Sequence, residues 1–220
     1  MPGSKTERRD AVDRDLRRSV LAHYERQLEE HGATARGMDW KDEASQRLRF
    51  RVLCDVCELD GLSVHEIGAG AGHLVDYLVE RGVDAHYSGS DLSLHMVEAA
   101  SQLHPGVSFE QRDAFAGDAD ALHDVVICSG LFHVKLAASD DEWRGFVERA
   151  LTRMFAMCRV AIAFNLMTDQ VDYRTPDLYH SNPGQMIDFC RERLSRYVTL
   201  RHDYPLHEYT LYVHRQSPVA

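Results

Sequence analysis

Long apolar runs are missing from this sequence of 220 residues: nothing approaches the roughly 18 residues that a membrane-crossing helix requires. The opening MPGSKTERRD lacks the apolar core of a signal peptide, so a short disordered tail and a cytoplasmic location are expected. Cationic side chains are also in short supply. Lys and Arg total 25 against 35 Asp and Glu, a net charge of −10, whereas nucleic-acid binding draws its affinity from cations set against phosphates. The basic cluster Arg191, Arg193 and Arg196 is interrupted by Glu192 and Leu194 and reads as a solvated helix face. Neither a nucleic-acid nor a membrane partner is expected. Cysteine numbers five, an odd count without a disulfide framework. Cys54-Asp55-Val56-Cys57 has C-x-x-C spacing, but no second pair completes four metal ligands, and the segment reads as helix. Two buried thiols are expected there, and the thirteen histidines show no metal-ligand spacing.

Two phosphate-binding signatures are missing as well. No G-x-x-x-x-G-K-[ST] loop occurs, and the third glycine of a G-x-G-x-x-G dinucleotide fingerprint is replaced by His73 or, in the other register, by Val75. A nicotinamide-dependent oxidoreductase is thereby disfavoured. What stands in their place is Glu66-Ile67-Gly68-Ala69-Gly70-Ala71-Gly72, a carboxylate followed by glycines at alternate positions. Residues 62–65 read as the end of a buried strand, and residues 73–81 as a helix with Leu74, Val75, Tyr77 and Leu78 on its apolar stripe. Strand, glycine turn and helix make the first crossover of a parallel α/β sheet, whose ligands bind at the carboxyl ends of the strands. Glycine lets the backbone turn sharply and approach a ligand with no Cβ in the way. A carboxylate beside such a turn suits a ligand that carries an ammonium and no phosphate.

Further elements follow in order. Residues 85–90 read as a second strand ending at Asp91, and residues 92–100 as a helix. An acidic residue ending the second strand, here nineteen past Gly72, is placed to accept a ribose hydroxyl pair. Asp91 and Ser93 also suit helix capping. Residues 107–112 form a third expected strand ending at Asp113, and 124–128 a fourth, whose near-continuous apolar run fits burial on both faces. An amphipathic helix over 142–157 buries Trp143, Phe146, Val147, Ala150, Leu151 and Met154. A fifth strand over 158–164, a long insertion over 165–184, a helix over 185–194 and strands over 197–202 and 209–214 complete the pattern. Ahead of it all, residues 13–30 carry Leu16, Val20, Leu21, Tyr24 and Leu28 on one helical face, and a second helix is expected over about 42–58. With 44% hydrophobic and 27% charged residues, the whole reads as one ordinary α/β unit without repeats.

The stretch E-x-G-x-G-x-G, followed by Gly89-Ser90-Asp91-Leu92-Ser93-x-x-Met96, resembles the first two motifs of class I S-adenosylmethionine-dependent methyltransferases. The resemblance implies a Rossmann-like, seven-stranded, mostly parallel sheet of order 3-2-1-4-5-7-6, the last strand antiparallel, with helices on both faces. Residues 1–60 would be the tail and a helical lid, and residues 61–220 the cofactor-binding domain. It further implies S-adenosylmethionine as cofactor and S-adenosylhomocysteine as product. Glu66, Gly68, Ala69, Gly70, Gly72, Asp91, Leu92, Asp113, Ala114 and Ser129 would line that ligand, with Asp113 accepting from the adenine amino group. Parts of the leader and the late loops are similar to a bacterial subgroup of small-molecule methyltransferases. In that likeness Tyr24, Trp40, Gln46 and Arg49 are candidates to cover the ligand, Arg49 pairing its carboxylate. Plain packing remains an equal reading for Tyr24 and Trp40.

Methyl transfer is an in-line displacement at carbon activated by positive sulfur, so alignment supplies much of the rate. The acceptor is expected to reach the sulfonium from loops after strands four, five and six. Asn165, Tyr173, Tyr179, His180 and Tyr204 are its candidate contacts. A base is needed only where the attacking oxygen or nitrogen is protonated at neutral pH, and His133, then His202 or His207, are the candidates. The expected activity is methylation of O or N on a small metabolite, a natural-product or sugar intermediate, by a monomer or homodimer. A non-methylating use of the same cofactor, or a non-catalytic binding protein, remains open at this stage.

Overall fold

Alternating burial along the strands builds the sheet. In β4 (His123–Cys128), Val125 and Ile127 join the apolar cluster on one face, Val126 and Cys128 the cluster on the other, and all four are fully buried. That is the signature of a strand covered on both sides. The computed structural model describes residues 5–116 and 122–219, with side chains from residue 13 onward. Within it, β1 (Ser63–Ile67), β2 (His86–Asp91), β3 (Ser108–Gln111), β4, β5 (Cys158–Thr168), β7 (Tyr197–Arg201) and β8 (Glu208–His214) run in the order β3-β2-β1-β4-β5-β8-β7. A two-residue strand, β6 (His180–Ser181), pairs parallel with the end of β5. β8 is antiparallel to both β5 and β7; the other pairings are parallel. This is the expected order once the short β6 is counted.

Helices cover both faces. α2 (Glu43–Cys54) and α3 (His73–Glu80) pack Phe50, Leu53, Leu74 and Leu78 against Val64, Ile127, Ala161 and Ala163. On the opposite face α5 (Asp140–Ala156) and α6 (Pro183–Arg193) pack Trp143, Phe146, Leu151, Met154, Met186 and Cys190 against Ile162, Phe164 and Leu211. α4 (Leu94–Leu103) follows β2 and packs beside β3, and α1 (Lys5–His31) lies across the carboxyl rim. Local chemistry sets the helix starts. Ser139 and Glu142 form a reciprocal capping box on α5, Asn182 caps α6 with Pro183 at its first turn, and Asp42 caps α2.

Several expected boundaries move. α1 begins at Lys5, so residues 5–10, expected as tail, are helical; residues 1–4 lie outside the described residues. α2 stops at Cys54 with Asp55 as its C-cap, rather than running to 58. Cys54 and Cys57 are free, partly buried thiols on either side of that stop. α4 starts two residues later than expected because Ser93, whose side chain accepts from Met96 N–H, is its cap. β5 continues to Thr168 because β8 supplies antiparallel partners for Asn165, Leu166 and Met167. Asn165 is therefore a buried strand residue, not the start of a loop.

Candidate functional site

The glycine turn leaves β1 with three left-handed residues in seven: Gly68 (φ 74°), Gly70 (φ 53°) and Gly72 (φ 81°). Gly72 caps α3 by backbone alone, with no side-chain cap. A Cβ on Gly68 would meet Leu131 Cδ1 at 2.8 Å and one on Gly70 would meet Met38 Sδ at 2.5 Å. Asp91, at the end of β2, ties the turn to the next crossover: its carboxylate accepts from Gly70 N–H (2.9 Å) and from Ser93 N–H (2.9 Å). Asp91 is thus an anchor of the turn, while Ser93 does the capping.

A cavity opens at this rim. Glu66, Gly68, Ala69, Gly70, Asp91, Leu92, Asp113, Ala114, Ser129, Trp40 and Tyr24 all border it. Gly72 and Arg49 do not border it. Glu66 is buried and accepts from the Tyr87 hydroxyl at 2.6 Å; burial pushes its carboxyl up to about 8, against the lowering effect of that hydrogen bond. Burial likewise raises Asp91, opposed by its backbone donors. Ser129 Oγ is buried with no hydrogen-bond partner. Asp113 accepts from Phe115 N–H and forms an ion pair with Arg17 of α1 at 2.9 Å.

Sequence reasoning missed part of the wall. Arg17, Val20 and Leu21 reach it from α1, Phe115 and Leu131 from the loops after β3 and β4, and Trp143 and Phe146 from α5. Val20 and Leu21 read only as part of one helical stripe, Arg17 carried no reading, and nothing in the sequence shows which element that stripe covers. His73 and Gln46 also border the cavity, joined by a 3.1 Å hydrogen bond between Gln46 Nε2 and His73 Nδ1.

Behind Trp40 lies a second group of polar side chains. Arg49 Nε stands 2.8 Å from Glu208 Oε1, an ion pair by distance with neither atom aligned for a hydrogen bond. Asn165 Nδ2 donates to Glu208 Oε2 at 3.1 Å, and Asn165 Oδ1 accepts from Gly130 N–H at 2.7 Å. His133 Nε2 sits 3.4 Å from Glu208 Oε2. Burial, and then the neighbouring Arg49 charge, push the His133 imidazole down to about 3, so it is neutral at physiological pH. Burial raises the Glu208 carboxyl, countered by Arg49. The sequence signal at Glu208 is a single carboxylate heading the otherwise acid-free run Glu208–His214, which the structure buries at all seven positions.

The remaining expected acceptor residues scatter. Tyr179 is buried and its N–H donates to His133 O at 2.7 Å. His180 Nδ1 meets Thr168 O at 3.1 Å, and Tyr204 OH pairs with Thr210 Oγ1 at 2.9 Å. Tyr173 is 77% exposed, and His202 and His207 are exposed too; none of these six residues, nor His133 or Asn165, borders the cavity.

A family model described as a methyltransferase domain matches residues 64–155. Among curated proteins, "Putative methyltransferase Rv1506c" of Mycobacterium tuberculosis is 36% identical over 164 residues, covering 72% of this chain and 96% of that protein. Among solved structures, Burkholderia thailandensis 1,6-didemethyltoxoflavin-N1-methyltransferase, with 1,6-didemethyltoxoflavin and S-adenosylhomocysteine bound, superposes with a TM-score of 0.64 at 18% identity, covering 99% of this chain and 93% of that one. The DhpI–SAH complex gives a TM-score of 0.60 at 21% identity, over 92% and 98% of the two chains. Kinship of that extent, carried on a sheet ordered β3-β2-β1-β4-β5-β8-β7, leaves a single conclusion: the chain belongs to the class I S-adenosylmethionine-dependent methyltransferases.

Proposed function

We propose that the cavity holds S-adenosylmethionine and that the chain methylates an oxygen or nitrogen of a small metabolite. The observation that carries this reading is the turn itself. A Cβ at Gly68 or Gly70 would collide with Leu131 or Met38 at the cavity wall, and Glu66, Asp91 and the unpartnered Ser129 hydroxyl face the same space. These residues fit the cofactor. Asp91 retains acceptor capacity for ribose hydroxyls beyond its two backbone donors, and Glu66 offers a carboxyl to the amino acid's ammonium. Leu92, Ala114 and Leu131 supply the apolar contact that an adenine ring needs. When bound, the cofactor supplies a methyl group on positively charged sulfur.

The protein's own part is alignment and water exclusion. Of the leader, α1 and the link carrying Trp40 act as the lid, since α2 packs on the sheet: Tyr24 and Trp40 border the cavity, and Arg17 ties α1 to Asp113. His133 is the candidate base, but burial and Arg49 hold its imidazole down at about 3, so receiving an acceptor's proton there depends on Glu208, 3.4 Å away, to stabilise the imidazolium. The curated relative and the solved neighbours are named as methyltransferases or hold S-adenosylhomocysteine, which supports the cofactor assignment. The test is calorimetry with pure S-adenosylmethionine and S-adenosylhomocysteine, followed by mass spectrometry of a metabolite extract incubated with methyl-labelled cofactor. Absence of heat with both molecules removes the proposal, and methylthioadenosine as product points to a non-methylating transfer.

A further inference from the structure

We infer that the slot filled by the Trp40 indole is the acceptor site, and that it takes a planar, uncharged aromatic or heteroaromatic ring bearing an O–H or N–H. This inference rests on the cofactor reading above and names the acceptor class for the same site. Trp40 borders the cofactor cavity while covering the Arg49–Glu208–His133 group, so its ring occupies the boundary an acceptor has to cross. The slot is shaped for a flat ring. The Arg49 guanidinium carbon lies 4.2 Å from the indole centroid on one side, and the His133 ring meets it edge-on at 6.0 Å and 82°. Gly130 gives the remaining wall: a Cβ there would stand 2.1 Å from Trp40 Cη2, so only glycine lets a ring lie against that backbone. Asn165 Oδ1 pins the same wall through Gly130 N–H.

Polar atoms beneath the indole call for a different occupant. Arg49 Nη1 is buried with no polar partner, while Glu208 Oε1 meets only Arg49 Nε as an ion pair and His133 Nε2 meets only Glu208 Oε2, at 3.4 Å. Buried polar atoms are nearly always satisfied, so the unpartnered Arg49 Nη1 and the long His133–Glu208 contact, beside the indole that stacks on Arg49, describe a site that can take a polar edge. Arg49 and Glu208 cancel each other's charge, and an ionised acceptor would leave one of them uncompensated in a dry place. A neutral ring with one O–H or N–H meets these demands: its face replaces the indole over Arg49, and its hydrogen is offered to Glu208 or His133. Trp40 is able to leave. It is only half-buried, and it sits on the irregular link between α1 and α2 next to Asp39, whose φ of 60° is unusual for a residue other than glycine.

The test uses the full chain saturated with S-adenosylhomocysteine, with 5-hydroxyindole as the planar probe and glucose as the non-planar one. In the native protein, 5-hydroxyindole displaces Trp40, whose indole N–H resonance moves; glucose leaves it in place. In Trp40→Ala the intrinsic competitor is gone, and affinity for 5-hydroxyindole rises at least tenfold with none gained for glucose. Adding Arg49→Lys to that variant, which keeps the charge and removes the flat guanidinium, weakens the probe at least fivefold. Should Trp40→Ala not fold, Trp40→Leu serves the same comparison. The inference is overturned by an unmoved Trp40 resonance at millimolar 5-hydroxyindole, or by glucose binding as tightly as the planar probe. Calorimetry with S-adenosylhomocysteine on the same samples separates the two readings: heat without planar preference removes only the acceptor class.

Discussion

Glu66 shows how one buried carboxyl links site chemistry to pH. Its value of about 8 means that it is largely protonated in the free protein at neutral pH. A bound ammonium favours the ionised form, so cofactor binding should expel a proton from Glu66. The expected outcome is an S-adenosylhomocysteine binding heat that changes with the ionisation enthalpy of the buffer at pH 7, and an affinity that climbs as pH approaches 8. Glu66→Gln should abolish both dependences; a buffer-independent heat in the native chain would remove Glu66 from the ammonium site. Asp91 makes a simpler case. It holds the turn through Gly70 N–H and offers further acceptor capacity to the ribose, so Asp91→Ala should weaken cofactor binding by about 1.5–3 kcal/mol, the usual worth of hydrogen bonds to a charged group. Equal affinity in both proteins by calorimetry would place the ribose elsewhere.

Among the elements, the glycine turn and α1 carry the most function per residue. Gly70→Val puts a branched side chain at φ 53° and against Met38, a left-handed strain of about 1–3 kcal/mol, and should lower cofactor affinity at least tenfold. Among the described side chains, Asp13, Arg17 and Glu25 fasten α1 to the rest of the domain. Asp13 pairs with Arg149 of α5, Arg17 with Asp113 beyond β3, and Glu25 accepts from the Ser93 hydroxyl at 3.1 Å. If α1 is the lid, Arg17→Ala should hasten S-adenosylhomocysteine release several-fold in stopped-flow measurements while costing about 1 kcal/mol or less in stability, as partly solvated pairs do. An unchanged release rate would make the pair a packing feature. α5 belongs to the scaffold, and there Leu151→Ala should cost about 2–5 kcal/mol in denaturant unfolding without touching the site.

Across the whole molecule, buried titrating groups set the pH profile of stability. Glu66 has a raised carboxyl, so the folded state holds its proton between the ordinary carboxylate value and about 8, and stability falls as pH rises through that window. His65 and His133, both pushed by burial to about 3, are neutral when folded and charged when unfolded, so stability rises with pH between about 3 and 6.5. Glu66→Gln should therefore flatten the fall in stability on the alkaline side, read in thermal melts of the ligand-free protein. Legibility in the sequence follows the same division between local and distant causes. The individual strands, the glycine turn and the place of Asp91 at the end of β2 were readable because each depends on neighbours within one crossover, where apolar period and backbone φ are set by adjacent residues. Strand order and the role expected of Asp113 came instead from the family resemblance. Asn165 was misplaced into a loop because β8, more than forty positions later, supplies the partners that extend β5. Glu208 and Arg49 gave no joint signal, since an α2 guanidinium and a β8 carboxylate meet only after the sheet closes. What the chain alone determined is the cofactor-binding scaffold, because period-two burial and glycine's freedom at positive φ are properties of short segments. What only the tertiary structure decided is which side chains share a dry space behind Trp40, because burial, and the charge pairing it enforces, arise between segments that the chain holds far apart.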